Sequence, residues 1–164
     1  MRNRFRLLLS FAAILTLCCS TAFAQDIPVA PRTVVIARPS GQVFAALKEY
    51  FSNSVANHFE LVSANPASGT IIAKRNGIDE TSWTRWAFCK TQSVNMLDTL
   101  SDGRVSINVS VQPSGTNQSR VTVALDFKGY YTLGNAQDVV SCQSKGTLEN
   151  DIVAAAGPIA PASP

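Results

Sequence analysis

Histidine occurs once in this chain of 164 residues, as His58. No H-E-x-x-H is present and no second imidazole exists to pair with it, which excludes a zinc centre of that kind. C-x-x-C is absent too, which argues against dithiol redox chemistry. Neither a G-x-S-x-G elbow nor a glycine-rich phosphate loop occurs. A Ser/His/Asp triad converges only in space and leaves no spacing to read. The apolar run Leu7 to Leu17 falls short of the roughly 20 residues that a membrane-crossing helix needs. Internal repeats and blocks of like charge are missing as well. The carboxylate pairs Asp79-Glu80 and Glu149 with Asp151 read as a turn and a helix start, where negative charge suits the dipole. No catalytic, metal-binding or cofactor-binding residue is nominated, and a non-enzymatic role is expected.

What the chain does carry is an address. Arg2, Arg4 and Arg6 precede the apolar run, and Ala22-Phe23-Ala24 closes the segment before Gln25. A basic start, a short apolar core and an A-x-A site predict a secretory signal peptide over residues 1–24. The mature chain is then expected to start at Gln25, periplasmic or secreted. The alternative is a lipoprotein signal acylated at Cys18 or Cys19, anchoring the chain to the outer membrane. Leu17 stands before Cys18, where such a signal carries a small residue, so A-x-A is the better match. Membrane attachment is expected only through that lipidation.

The charge balance changes with the signal. Without its three arginines, the 14 basic residues fall to eleven, matching the 11 acidic ones. A neutral mature chain has no net attraction for nucleic acid or anionic lipid, and no nucleic-acid partner is expected. Two cysteines remain, Cys89 and Cys142. In an oxidising compartment they predict one disulfide, closing a loop of roughly 54 residues and contributing about 4 kcal/mol in the chain-entropy account.

Along the mature chain, Thr33 to Ala37 is β-branched and predicts a strand. Ser40 is a candidate N-cap. Val43, Leu47, Phe51 and Val55 then recur at helical spacing, with Phe44 and Tyr50 beside them. His58 to Ser63 and Thr70 to Lys74 predict strands around the turn Asn65 to Gly69. Asn76-Gly77 signals another turn. Ser82 to Lys90 reads as an aromatic-rich strand, Thr91 to Leu100 is ambiguous, and Asp102-Gly103 signals a hairpin. Val105, Ile107, Val109 and Val111 then alternate with Ser106, Asn108, Ser110 and Gln112. Val121, Val123, Leu125 and Phe127 alternate likewise with Thr122, Ala124, Asp126 and Lys128. One apolar and one polar face make an antiparallel sheet covered on one side. Tyr130 to Gln143 reads as irregular. Ser144 can cap a last helix whose apolar positions are Leu148, Ile152, Val153 and Ala156, with Glu149 and Asp151 off that stripe.

The order β-α-β-β-β-β-β-α predicts a two-layer α+β domain over residues 25–157, a curved antiparallel sheet with one face covered by two helices, and a flexible tail over 158–164. A strand, then Arg38-Pro39-Ser40-Gly41-Gln42-Val43-Phe44-Ala45-Ala46-Leu47, then Phe59-Glu60-Leu61-Val62 and Ser68-Gly69-Thr70-Ile71, resemble the helix-grip domains of BamC-type outer-membrane assembly lipoproteins. The resemblance spans Thr33 to Ala156 in element order and implies a cell-envelope role. The chain departs from it in its internal cysteine pair and in the residue before Cys18.

Aromatic residues supply the candidate binding surface. On a strand, Trp83 and Trp86 face opposite sides, so one is expected in the core and the other exposed. Arg85 would share a face with Trp83 and Lys90 with Trp86, while Tyr130 and Tyr131 end a later strand. An exposed Trp beside cations suits a partner protein or envelope component. The expectation is thus an exported interaction module that binds through a sheet face or edge. The alternative is a carrier of a small apolar ligand or lipid, which needs a void of at least roughly 300 Å³ between Phe127 and Leu148.

Overall fold

The computed structural model describes residues 30–53, 58–89, 99–133 and 136–161. The expected signal segment with Cys18 and Cys19, and also Val55, Lys90 and residues 91–98, lie outside them. In chain order the elements are β1 (Arg32–Ile36), α1 (Ser40–Ser52), β2 (Glu60–Asn65), β3 (Thr70–Arg75), α2 (Glu80–Trp86), β4 (Ala87–Phe88), β5 (Thr99–Pro113), β6 (Ser119–Leu133), β7 (Ala136–Ser144) and α3 (Thr147–Ala156). The fold is α+β, a curved, open, antiparallel sheet of seven strands with three helices among the described residues.

Strands β5 and β6 are the spine. They pair from Thr99↔Thr132 to Pro113↔Ser119, and their alternation does what the pattern predicts. Val105, Ile107, Val109, Val111, Val121, Val123 and Phe127 are buried, while Arg104, Ser106, Asn108, Gln112, Arg120 and Asp126 are exposed. β3 and then β2 extend the sheet beyond β5. On its other side β6 serves two partners in turn. Its first part pairs with β1, from Ser119↔Ile36 to Val123↔Arg32, and its second part with β7, from Phe127↔Cys142 onward.

Helix α1 buries Val43, Phe44, Leu47 and Phe51, the face that the four-residue spacing predicts. Each such side chain contributes on the order of 1.5–3 kcal/mol by leaving water. Ser40 is not its cap. The N-cap position is Pro39, whose carbonyl accepts from the Gln42 and Val43 amides at 3.0 and 3.1 Å. Proline has the extended ψ of a cap (146°) and a fixed φ, so the chain turns into the helix one residue before Ser40. Helix α3 buries Leu148, Ile152, Val153 and Ala156 as expected, and Glu149 with them. Glu149 is no solvated face residue: Oε2 accepts from the Ser144 hydroxyl at 2.7 Å. Ser144 stands too early to cap, and the N-cap is Gly146 in the left-handed region.

Four further expectations need correction. The strand expected over Ser82 to Lys90 is mostly helix α2, with only Ala87 and Phe88 extended. Asp79 caps α2 by accepting from the Ser82 amide at 2.9 Å and its hydroxyl at 2.8 Å, and a local cap outweighs the β preference of aromatic residues. Asp102-Gly103 makes no hairpin and lies within β5 beside a bulge. The stretch from Tyr130 to Gln143 is not irregular but forms the end of β6 and most of β7. The tail is not loose from residue 158: the Ala37 amide donates to the Pro158 carbonyl at 2.9 Å, and the Ala160 amide to Val35 at 2.8 Å.

Packing explains why Asp102 is followed by glycine. Gly103 and Gly129 sit opposite each other on β5 and β6, facing the helices. Trp83 lies against Gly103 so closely that a Cβ there would come within 2.5 Å of its ring. A Cβ on Gly129 would come within 2.9 Å of the Tyr131 ring and 3.4 Å of both cysteine sulfurs. Gly103→Val is expected to lower stability by about 1–3 kcal/mol through overpacking and to shift the tryptophan emission. Urea unfolding followed by fluorescence measures both, and a variant as stable as the parent would show that Trp83 is free to move aside.

Candidate functional site

The outer face of the sheet is built from the polar half of each alternating strand, and its rows follow from the register. One row runs Thr70, Ser110, Thr122 and Thr33, and the next Ser63, Ile72, Asn108 and Ala124. These eight positions carry no charge. Thr33 and Thr122 join hydroxyls at 3.0 Å, and Ile72 is 39% exposed. A charged row then follows on one side, Glu60, Lys74, Ser106 and Asp126, with Lys74 and Glu60 paired at 3.1 Å. On the other side Gln112 and Arg120 are paired across β5 and β6.

Toward the β7 end the face becomes cationic and aromatic. Arg104 stands opposite Lys128, and Asp102 opposite Tyr130. The Arg104 guanidinium lies 4.1 Å from the centre of the Tyr130 ring. Its Nε donates to Asp102 Oδ2 at 2.7 Å, and that bond, more than anything else, holds the guanidinium proton more tightly than usual. Asp102 Oδ1 accepts from the Gly77 amide at 2.9 Å, which fixes the carboxylate. Lys128 donates to Ser141 Oγ at 2.5 Å. Phe88 and Val139, 58% and 51% exposed, lie toward the same end.

The expected aromatic surface therefore separates. Trp83 and Trp86 are both buried, because three residues apart on a helix is one face and not two. Trp83 meets Phe127 edge-on at 5.6 Å, and Trp86 stacks on Phe59 at 6.1 Å with Arg75 over its ring. Neither forms a binding surface. Arg85 is exposed and pairs with Asp151 of α3 at 3.1 Å, away from the outer face. Tyr130 faces outward beside Arg104, whereas its neighbour Tyr131 packs inward near the disulfide. Arg104 escaped the sequence reading because Asp102-Gly103 resembled a turn. The wet positions of β5 and β6 were legible from their alternation.

Cys89 and Cys142 are joined, with Cα atoms 4.3 Å apart. The bond fastens the segment after β4 to β7, which otherwise pair only at Ala87↔Ser144 and Phe88↔Gln143. The Trp83 indole N–H donates to Cys89 Sγ at 3.3 Å, so the bond also seats the α2 ring.

Among the described residues, the void required of a carrier does not open between Phe127 and Leu148. A void of several hundred Å³ would leave water-accessible surface on its walls, yet Phe127 is 1% and Leu148 0% exposed. A shallow cleft of about 260 Å³ opens elsewhere, where Ser40 and Phe44 of α1 meet the Pro66–Gly69 turn and Val111. No helix among the described residues is long and apolar enough to cross a membrane, and no group of three or more His, Cys, Asp or Glu among them could hold a metal ion.

Replacing both Cys89 and Cys142 by serine is expected to lower stability by about 2–4 kcal/mol in denaturant titrations, with the reduced parent falling to the same midpoint. The cap of α2 adds a pH dependence. Ser82, first through its amide and then through its hydroxyl, holds the Asp79 carboxyl below the usual aspartate range. The cap's contribution is thus complete above the ordinary aspartate pKa and is lost as pH falls through the lower folded-state value. Asp79→Ala is expected to be less stable near neutrality and to lose less between about pH 5 and pH 2. Parallel acid limbs for parent and variant would rule the cap out as a contributor. No family model matches the chain and no curated protein matches its sequence.

Proposed function

We propose that this chain is an exported, non-catalytic interaction module of the bacterial cell envelope, binding a protein partner through the outer face of its sheet. The observation that carries the reading is the charge-free pair of rows from Thr70 to Thr33 and from Ser63 to Ala124, set between the charged Glu60 to Asp126 row and the Gln112–Arg120 pair. Depletion of charge at the centre with a polar rim is how interfaces differ from ordinary surface. The edges offer less. The outer edge of β1 is taken by Pro158 to Ala160, and β7 is clipped by β4 and the disulfide. β2 is short and broken by a bulge between Leu61 and Ser63, a guard against edge pairing.

Export is supported by the basic, apolar and A-x-A pattern of residues 1–24 and by a cysteine pair placed to bond. The likeness in element order to BamC-type helix-grip domains supports an envelope address. A photo-crosslinking residue at Asn108 is expected to give a discrete protein adduct in the native host, and one at Lys48 on α1 is not. Adducts from Lys48 alone would place the binding surface on the helices and sink the reading. Intact mass of the purified chain is expected to match a chain beginning at Gln25, with two hydrogen atoms lost to the disulfide. An acyl increment on Cys18 or Cys19 would make the module membrane-anchored instead.

A further inference from the structure

We propose that the outer face is built to pack on the same face of a second copy of this chain, as a two-fold symmetric sandwich. This rests on the outer face being the binding face, and names its occupant. On β6, Arg120 and Asp126 lie three residues to either side of Val123, both exposed on the outer side. A two-fold axis in the plane of the interface, perpendicular to the strands and level with Val123, lays β6 antiparallel across the second copy's β6. Each Arg120 then stands over the other copy's Asp126, twice per dimer. Arg120 makes no ion pair among the described residues, and Asp126 has only a loose one, 3.7 Å from Lys128, with the Asp126 side chain 60% exposed.

The same operation exchanges the two uncharged rows. Thr122 falls over the second copy's Ala124, Ser110 over Asn108, and Thr70 over Ile72. Each meeting sets a smaller side chain against a larger one or two small ones together, as interdigitating sheets about 10 Å apart require. The other charges of the Glu60 to Asp126 row fall at the margin, where a polar rim belongs. At ordinary strand and residue spacings the four rows, each up to four strands wide, measure roughly 19 by 27 Å. That is of the order of the ~800 Å² per partner in a standard interface. Threonine, serine and alanine also lose little side-chain freedom on being covered, unlike the lysines and glutamates of an ordinary wet face.

Sedimentation equilibrium of the mature, oxidised chain tests this directly. The parent is expected to be a dimer at micromolar concentration. Arg120→Glu and Asp126→Arg are each expected to weaken it at least about tenfold, since each sets like charges opposite one another twice. An equimolar mixture of the two variants is expected to dimerise again, because both cross-pairs are then of opposite sign. Ala124→Arg, at the centre of the face, is expected to be a folded monomer, with circular dichroism and urea midpoint confirming the fold. A parent chain that stays monomeric at roughly 100 µM, where even a weak micromolar pair associates, overturns the proposal. A dimer indifferent to Ala124→Arg overturns it too. If the monomeric parent still crosslinks another envelope protein from Asn108, self-association fails while the open-face reading stands.

Discussion

The pairing of β5 with β6 is the constraint on which the rest of this structure depends. Two strands of fifteen residues run side by side from Thr99↔Thr132 to Pro113↔Ser119. Because side chains alternate, one register decides every residue's side, and a slip of one would move the whole valine ladder into water. β3 takes its place from β5, and β1 and β7 share the far side of β6 in succession. The helices then cover whichever face holds Val105, Ile107, Val109, Val121, Val123 and Phe127.

One end of this ladder is shaped by what it omits. Gly103 and Gly129 face each other and leave room for Trp83, Tyr131 and the two sulfurs. The outer side of the same strand positions carries Arg104, Asp102 and Tyr130 in a bonded cluster. A change at the glycine pair therefore acts on both sides of the sheet: inward on the seat of α2, and outward on the strand that holds the cations. The disulfide closes this end by fixing the segment after β4 against β7.

The functional reading follows from how the sheet's surfaces are distributed. The inner face is consumed by α1, α2 and α3, and two of the edges are partly or wholly taken. The outer face keeps small, uncharged side chains at its centre and pairs its charges mainly at the margins. Long charged side chains there would have been the ordinary way to keep such a face in water. Their absence is what points to a partner, and the opposed signs of Arg120 and Asp126 on one strand give that partner a symmetry.

By itself the sequence determined the two faces of β5 and β6, the buried stripes of α1 and α3, and the cysteine pair. In each case one local period or the lack of a competing residue left a single arrangement. It misjudged Ser82 to Trp86, because a short aromatic segment fits strand and helix alike until the Asp79 cap is formed. It misjudged Asp102-Gly103, because a glycine that makes room for Trp83 looks in sequence like a glycine that makes a turn. Tertiary structure alone decided that both tryptophans are core, that Glu149 is buried on Ser144, and that Pro158 to Ala160 closes the edge of β1. Those outcomes depend on partners 5 to 125 residues away along the chain, which no local pattern records.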